Sequence, residues 1–585
     1  MRVRERARVA AAVLVVAVPG VLAAGVGSAH AAPARPAAVK NGTALRAEVA
    51  KHIGDQRKLS AGARMWLAGP PAPNESRPRA RASVALGSNV DANDPNKDFV
   101  AGQSETAIAA QRTAAGKRLV LAGWNDASGF VGSPTSVTGS LTGVGLSGDG
   151  GAHFVDLGGL PNNNVDQQWS GDPAIASLGD GSHFAVASLY FPSAQACTDG
   201  LPAQAIVAVS VATVNAAGTG ASFTAPIPVG SGGDLCTLFT ENQPVDLAQL
   251  DKDWISYDPV SRRLAVSYTR FYLPPFVCGP TSCEPTGPFS GNGQIETLTA
   301  TVPANPTALR AGSFGAPAVI WPEEPNCPAG TPSSAIARCG AVNQGSYVAV
   351  ARGGTEYVSW ERNIDSNTFD GDPYVYIHAA RLAVGARSPS IGGRTHPVVV
   401  SKGQPNGNPA GGVKSLNNTV IAGYSRGPGN DFPRIALVPA TGAPVIVWND
   451  ASRHPLGDVY LRTLNPALTS LSGIRKVNDD NDYSLHFLPA VSVRTDGTIC
   501  TSWYDRRRGG PDSTLTDYYA DCRTAAGTNA TDRRITTGAT DWNGTSSAIN
   551  PNFGDYTDNT TDGTRTYYTW SDGRLGVPQP FVDHS

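Results

Sequence analysis

One unit recurs seven times along the chain, and this repetition restricts the fold more than any other feature of the sequence. Each copy consists of a short apolar strand, a turn that contains Gly or Asp, and a second strand that ends in an aromatic residue followed by a charged one. The copies occupy residues 106–126, 172–191, 253–271, 347–363, 432–450, 487–507 and 553–574. Six copies carry an aromatic residue at the same position of the second strand: Trp124, Tyr268, Trp360, Trp448, Trp503 and Trp570.

Alternating β-branched and aromatic strands of this kind are typical of β-sheets, and 65 Gly with 45 Pro supply the turns that short strands need. The spacing of the copies leaves room for two further strands in most of them, which gives the four-stranded blade of a β-propeller. The last copy is one strand short, and a strand near Ala82–Leu86 is expected to complete it and close the ring. The sequence therefore predicts an all-β fold over residues 84–585, a seven-bladed β-propeller with the Trp residues packed between blades. A six-bladed ring is the alternative.

The first 31 residues have the parts of a secretion signal. Four Arg residues within positions 2–8 precede an apolar stretch, and Ala29-His30-Ala31 supplies small residues for cleavage. No second apolar stretch approaches the roughly 20 residues that span a bilayer. We expect a secreted, extracellular monomer without a membrane span, in which residues 32–83 form an Ala/Pro/Arg-rich linker or pro-like segment.

The eight cysteines form an even set in a chain that we expect to be exported, where disulfides are the usual state of cysteine. The repeat places Cys500 at the start of a second strand and Cys522 at the end of the third, so the two should face each other and form a disulfide. The other six are expected to close two short loops and to place two residues at the mouth of the ring: Cys278–Cys283, Cys327–Cys339, Cys197 and Cys236. Their spacing does not suit zinc.

The formal charges nearly cancel, with 46 Lys and Arg against 48 Asp and Glu. Proteins that bind a phosphate backbone need a basic surplus. Nucleic acid is therefore not an expected partner.

Charged residues collect at one end of the predicted ring, which we call the mouth. In an antiparallel hairpin the start of the first strand and the end of the second lie at the same end, and around a ring these positions surround the channel. They hold Asp172, Asp253, Arg270, Glu361, Arg362, Asp450, His486, Asp505, Arg506, Asp555, Asp572 and Arg574. Charges gathered in this way shift one another's pKa values and can act as acid, base or anion clamp. The alternative is that they cap turns and pair across neighbouring blades.

The stretch LSGDGGAHF at residues 146–154 matches the Asp-box pattern through Ser147, Asp149, Gly151 and Phe154. Together with the repeated W-x-D strand ends, it resembles the sialidase-like propellers with bacterial neuraminidase repeats, in particular secreted members of the actinobacterial type, over about residues 100 to 580. The resemblance implies a propeller fold, and many bacterial members act on glycans as exo-sialidases. It also implies that Asp149 is structural, in a hairpin turn away from the active site.

Sialidases use a Tyr nucleophile with a neighbouring carboxylate, a second carboxylate as acid and base, and arginines that hold the substrate carboxylate. Carried to the mouth of this chain, the resemblance implies the catalytic residues Asp505, Asp555, Tyr556 and Glu361, with Tyr504 and Tyr424 as further nucleophile candidates. The substrate-binding candidates are Arg270, Arg362, Arg506, Arg574, Asp172, Asp253 and His486. The sector around Asp505, Arg506 and Arg574 is expected to be the functional one.

Three functions remain open at this point. The first is an exo-sialidase-like glycoside hydrolase that acts on an acidic extracellular glycan or glycoconjugate. The second is a propeller that binds a glycan or a protein without catalysis, and the third is a polysaccharide lyase with His486 or a mouth Tyr as the base. No cofactor is expected, although two acidic clusters offer oxygen ligands to Ca²⁺: Asp555/Asp558/Asp562 and Asp479/Asp480/Asp482.

Overall fold

The computed structural model describes residues 89–94, 102–128, 140–161, 167–192, 204–234, 248–272, 276–278, 283–285, 292–325, 339–364, 374–389, 397–407, 411–414, 416, 421, 431–480, 484–510, 513–524, 531–545 and 553–585. The predicted signal, the segment 32–83, Tyr424, Asp482 and the cysteines at 197, 236 and 327 lie outside these ranges.

Seven antiparallel sheets follow one another along the chain, and we number them as blades from the inner strand outward. Blade 1 comprises Gln103–Arg112, Arg118–Asp126, Thr142–Ser147 and Val155–Gly159. Blade 2 comprises Gln167–Trp169 with Ala174–Ser177, then His183–Pro192, Gln204–Val214, and Ala221–Phe223 with Ile227–Asp234. Blade 3 comprises Ala248–Asp258, Arg263–Tyr272, Gln294–Thr301 and Ala318–Trp321, with a small hairpin of Phe276–Cys278 and Cys283–Pro285 inserted. Blade 4 comprises Val342–Val350, Glu356–Ile364, Tyr374–Leu382, and Val398–Val399 with Val413–Lys414.

The remaining blades have the same order of strands. Blade 5 comprises Arg434–Leu437, Pro444–Asp450, Asp458–Thr463 and Arg475–Lys476. Blade 6 comprises His486–Val493, Ile499–Asp505, Leu515–Arg523, and Arg533–Arg534 with Thr540–Asp541. Blade 7 comprises Asp558–Thr561, Thr566–Asp572, Gln579–His584 and Val90–Asp91. Short 3-10 turns lie at Pro306–Ala308, Ala311–Ser313 and Trp542–Gly544.

The inner strands form a closed circle. Each contacts the inner strand of the next blade, and that of blade 7 contacts that of blade 1. Val90–Asp91 supplies the outer strand of blade 7 by pairing antiparallel with the C-terminal strand, Val90 opposite Val582. The predicted seven-bladed propeller closed by an N-terminal strand is confirmed. The described closing strand is Val90–Asp91, whereas the predicted stretch, Ala82–Leu86, lies outside the described residues.

The predicted packing role of the Trp residues is also confirmed, because each of them is 0 or 1% exposed and lies against the preceding blade. Trp503 packs with Val447 of blade 5. Trp124 of blade 1 packs with Tyr567 and Val582 of blade 7. Burial of side chains this large is the dominant favourable contribution to folding, so the same contact that joins successive blades also seals the ring.

The disulfide prediction for blade 6 is confirmed. Cys500 lies directly opposite Cys522 in the antiparallel register, with their Cα atoms 4.1 Å apart and a disulfide between them. In the inserted hairpin of blade 3 the backbone places Cys278 opposite Cys283. Cys339 is also in a disulfide.

The turn at Asp149 is held by its side chain. Asp149 accepts hydrogen bonds from the backbone N–H groups of Ala152 and His153 at 3.1 and 3.0 Å, between the third and fourth strands of blade 1. The structural role expected of this carboxylate agrees with these contacts.

Several inner strands carry a β-bulge near the mouth. In blades 1, 3, 4 and 6, the pairing between the first two strands leaves out two residues of the inner strand there. The first residue of the bulge has a φ in the left-handed region in three of these blades: Glu105 (50°), Lys252 (54°) and Leu488 (50°). Asp172 occupies the equivalent place in blade 2 and has a φ of 58°. A bulge redirects side chains, and these positions contribute three charged groups to the channel.

Among the described residues, none of the helices has the length and apolar character needed to cross a membrane.

Candidate functional site

Five charged residues from four neighbouring blades meet at the mouth of the channel, and we call them the axial cluster: Glu105, Asp172, Lys252, Asp253 and Asp555. They come from blades 1, 2, 3 and 7, at the start of each inner strand or just before it. Each is at most 3% exposed. Ionisable groups so deeply buried are rare unless they are paired or functional.

Lys252 lies at the centre of the axial cluster. Its Nζ is 3.3 Å from Glu105 Oε1 and 3.5 Å from Asp172 Oδ2, and it also donates a hydrogen bond to Asp555. The backbone N–H of Asp555 donates to Glu105 Oε1 at 3.0 Å. The ammonium group also lies 5.4 Å from the ring centre of Tyr556, within reach of a cation–π interaction.

Asp253 differs from the other carboxylates of the cluster. It is 2% exposed, and neither of its oxygens has a hydrogen-bond partner. Burial, and after it the charge of Asp172, raises the pKa of Asp253 well above its usual range. The site therefore holds a carboxyl group without a hydrogen-bond partner and with a raised pKa next to carboxyl groups that pair with an ammonium group, the arrangement from which acid–base pairs are built.

Tyr556 borders the axial cluster but is not primed as a nucleophile. Its hydroxyl group donates to the backbone oxygen of Pro173 at 2.9 Å. Burial, and after it the charge of Asp172, raises the pKa of Tyr556 well above its usual range. In this arrangement the phenol remains protonated and serves as an aromatic wall beside Lys252.

A second buried cation lies at the start of the inner strand of blade 5. The guanidinium group of Arg434 in blade 5 is between the rings of Trp254 and Tyr347, 4.0 and 4.2 Å from their centres. It donates to the backbone oxygen of Thr557 at 2.6 Å and pairs with Asp558. Arg434 thus links blades 3, 4, 5 and 7 below the axial cluster.

The predicted residues Asp505 and His486 belong to a different group, between blades 5 and 6. The indole N–H of Trp503 donates to Asp505 at 2.9 Å, and Arg507 pairs with the same carboxylate at 2.7 Å. His486 Nε2 lies 3.2 Å from Asp480 and 3.4 Å from Asp505, while Nδ1 bonds a backbone oxygen. Burial alone lowers the pKa of His486, but the hydrogen bond to Asp480 and the charge of Asp505 outweigh it and raise the pKa. These surroundings favour the charged form of the imidazole.

The W-x-D strand end of blade 7 repeats this geometry without the histidine. Trp570 donates to Asp572 at 2.8 Å, and Arg574 Nε donates to the same carboxylate at 2.9 Å. Arg574 therefore corresponds to Arg507 rather than to Arg506. Arg506 instead donates to Thr516 at 3.0 Å, and burial lowers its pKa to about 10.

The other predicted arginines have separate partners in blades 3 and 4. Arg270 pairs with Glu296 at 2.9 Å. Arg362 holds Glu324 through two hydrogen bonds of 2.6 and 2.7 Å. Its neighbour Glu361 accepts a backbone hydrogen bond from residue 431 at 3.1 Å.

Of the predicted site residues, the structure brings together Asp172, Asp253, Asp555 and Tyr556. The sequence reasoning missed Glu105 and Lys252, although Lys252 directly precedes Asp253 in the third copy of the repeat. The carboxylates considered for Ca²⁺ diverge: Asp555 contacts Lys252, while Asp558 and Asp562 pair with arginines. Within the described part of the chain, no group of three or more His, Cys, Asp or Glu side chains is arranged to hold a metal ion.

No protein-family model matches the sequence, and no curated protein matches it. Solved structures give distant similarities. An α-L-arabinanase from Penicillium chrysogenum, complexed with arabinobiose, is 10% identical with a TM-score of 0.36, over 86% of this chain and 98% of that one. A Hadza microbial sialidase is 8% identical with a TM-score of 0.37, over 80% and 76%. A Trypanosoma rangeli sialidase in complex with sialic acid is 10% identical with a TM-score of 0.35, over 73% and 55%. Likenesses at this distance assign no activity to the chain.

Proposed function

We propose that the protein is a glycoside hydrolase that cleaves its substrate at the axial cluster. The observation that carries the proposal is Asp253, a buried carboxyl group without a partner and with a raised pKa, next to the paired carboxylate of Asp172. Glycoside hydrolysis needs two carboxyl groups in different protonation states. Asp253 would protonate the departing glycosidic oxygen, and Asp172 or Asp555 would act on the anomeric carbon or on the attacking water.

The backbone supports this assignment. Glu105, Asp172 and Lys252 all have φ between 50° and 58°, which costs a non-glycine residue roughly 1–3 kcal/mol. Strain of this kind is retained where the surrounding structure holds a side chain in a required position. These three are the bulge-position residues whose charged groups meet at the axial cluster, whereas Leu488 has a similar φ without a charge.

The charge of the cluster indicates the kind of substrate. Three acidic side chains surround the ammonium group of Lys252, so acidic groups outnumber basic ones at the site. A negative site stabilises the oxocarbenium-like transition state of glycoside cleavage and repels an anionic sugar. We therefore favour a neutral glycan. A sialidase would need guanidinium groups directed at the substrate, whereas Arg270, Arg362 and Arg574 pair with Glu296, Glu324 and Asp572. An extracellular glycan substrate is consistent with the secretion signal proposed for residues 1–31.

The test is hydrolysis of a panel of 4-nitrophenyl glycosides of neutral sugars, a 4-nitrophenyl α-sialoside and the matching methyl glycosides. A cleaved neutral glycoside supports the proposal. Asp253→Asn should then reduce kcat/KM by about 10²- to 10⁴-fold, with a larger loss on the methyl glycoside because its leaving group depends more on protonation. Asp532→Asn is the matched control: Asp532 has a buried carboxyl group whose pKa burial raises to about 7, but it pairs with Arg507 away from the channel.

The other outcomes separate the alternatives. Cleavage of the sialoside alone would contradict the argument that the negative site repels an anionic sugar, and it would favour the exo-sialidase hypothesis. Unsaturated products would identify a lyase. Binding of a glycan without any product would leave a non-catalytic propeller, and equal activity of wild type and Asp253→Asn would remove Asp253 from the mechanism.

A further inference from the structure

A cavity of about 240 Å³ opens between blades 5 and 6, on the face of the ring opposite the axial cluster. Its walls are formed where the third strands end, at Thr463 and Arg523, and at the turn of Gly497 between the first two strands of blade 6. The axial cluster lies at the other end, where the inner strands begin. The two sites are therefore separate. We call this cavity the inter-blade pocket.

The inter-blade pocket has one apolar wall and several polar groups. Val438, Leu461, Val477 and Ile499 supply the apolar wall, and Thr501 adds a hydroxyl group. Binding sites for small molecules combine an apolar surface with a few polar groups that fix orientation. The volume is below the roughly 300 Å³ at which pockets begin to enclose drug-sized ligands, so it suits a single sugar residue.

Asp521 provides an unused acceptor in the pocket. The residue is 2% exposed, its Oδ2 pairs with Arg523, and its Oδ1 has no hydrogen-bond partner. Leaving a buried acceptor unpaired is costly, and a ligand hydroxyl group would satisfy it. Burial raises the pKa of Asp521.

Arg475 provides an unused cation on the pocket wall. Its side chain is exposed, and it makes no hydrogen bond or ion pair with any residue in the described part of the chain. Arg523, by contrast, is held by Asp521 and by the backbone oxygens of Lys476 and Val477. With two guanidinium groups and one carboxyl group on its walls, the pocket favours an anion.

We infer that the inter-blade pocket binds a carboxylated sugar residue as a second, non-catalytic glycan site. The sugar carboxylate pairs with Arg475, a ring hydroxyl group donates to Asp521 Oδ1, and the C–H face of the ring packs on Val477 and Ile499. This inference does not depend on the activity proposed at the axial cluster. Such a site would hold the protein on an acidic polysaccharide while the axial cluster acts on another residue.

The experiment is an NMR titration of the full chain with D-glucuronate and, in parallel, with D-glucose. Glucuronate should bind about tenfold more tightly than glucose, because a hydrogen bond between charged groups is stronger than one between neutral groups. Arg475→Gln should remove this difference. Arg352→Gln is the matched control, since Arg352 is also exposed and lies on the same face of the ring, in the turn between the first two strands of blade 4.

Asp253→Asn separates this site from the axial cluster and should leave glucuronate binding unchanged. Equal binding of glucuronate and glucose, or no saturable binding of either, would overturn the inference. So would a loss of binding in Asp253→Asn together with full binding in Arg475→Gln, because that result would place the ligand in the channel.

Discussion

Replacing Lys252 with Met tests whether the axial cluster is held together by its charges. The variant keeps most of the side-chain volume but removes the ammonium group that pairs with Glu105 at 3.3 Å and with Asp172 at 3.5 Å. At an effective dielectric constant of about 20, each of these pairs is attractive by roughly 5 kcal/mol. Desolvation offsets much of that attraction, and removal of one partner from a buried pair typically costs about 3–5 kcal/mol.

We therefore expect Lys252→Met to be less stable by about 3–5 kcal/mol at pH 7. For a ring of about 500 residues this corresponds to a melting temperature lower by roughly 3–5 °C. Urea unfolding followed by Trp fluorescence and thermal scanning both measure the change.

A second variant makes the test specific to the ion pairs. Lys252→Met/Asp555→Asn removes one of the carboxylates that the first substitution leaves unpaired, so it should recover about 1–3 kcal/mol relative to Lys252→Met alone. If Lys252→Met were as stable as wild type, or if the two substitutions were simply additive, the charges would not interact as the structure indicates. The proposed role of the cluster as a preorganised site would then lose its basis.

Three further outcomes are expected. Asp253→Asn should be more stable than wild type by about 1–3 kcal/mol at pH 7. Because the folded-state pKa of Asp253 is raised, the stability of the wild type decreases as the pH rises through that pKa. Thermal scans from pH 4 to 8 should therefore show that the stability gained by the variant grows with pH. His486→Gln should cost most stability below the usual His pKa of 6.5, and the difference from wild type should disappear as the pH rises through the raised folded-state pKa. Replacing Cys522 with Ala should cost about 3 kcal/mol for the 22-residue separation that its bond to Cys500 closes, and non-reducing peptide mapping should recover the two cysteines linked in the wild type.

The fold could be predicted because the sequence repeats the signal that builds it. The Trp position recurs, and every Trp there performs the same task of packing one blade on the preceding one. The closing strand could be placed only roughly. Val90–Asp91 is two residues long, too short to show an alternating pattern, and it pairs with the opposite end of the chain.

The site could be predicted only in part, because strand ends show which residues gather but not where each side chain points. The bulges add a residue to the inner strands and redirect Glu105 and Lys252 toward the channel, an effect that no spacing in the sequence records. The roles of the arginines could not be predicted when their partners lie outside the repeated unit. The sequence predicts that Arg362 binds a substrate, but its carboxylate partner is Glu324, which lies 38 residues earlier and outside the repeated unit.

The distribution of charged residues around the ring distinguishes a functional site from a set of purely structural ion pairs between blades. At the first residue of the bulge, or at the equivalent place in blades 2, 5 and 7, the residue is polar or charged in four contiguous blades: Tyr556 of blade 7, Glu105 of blade 1, Asp172 of blade 2 and Lys252 of blade 3. Blades 4, 5 and 6 carry Gly345, Phe432 and Leu488 there. At this position the charged and polar residues thus lie on one side of the channel and the residues without a polar side chain on the other, an arrangement that suits an amphipathic ring such as a sugar.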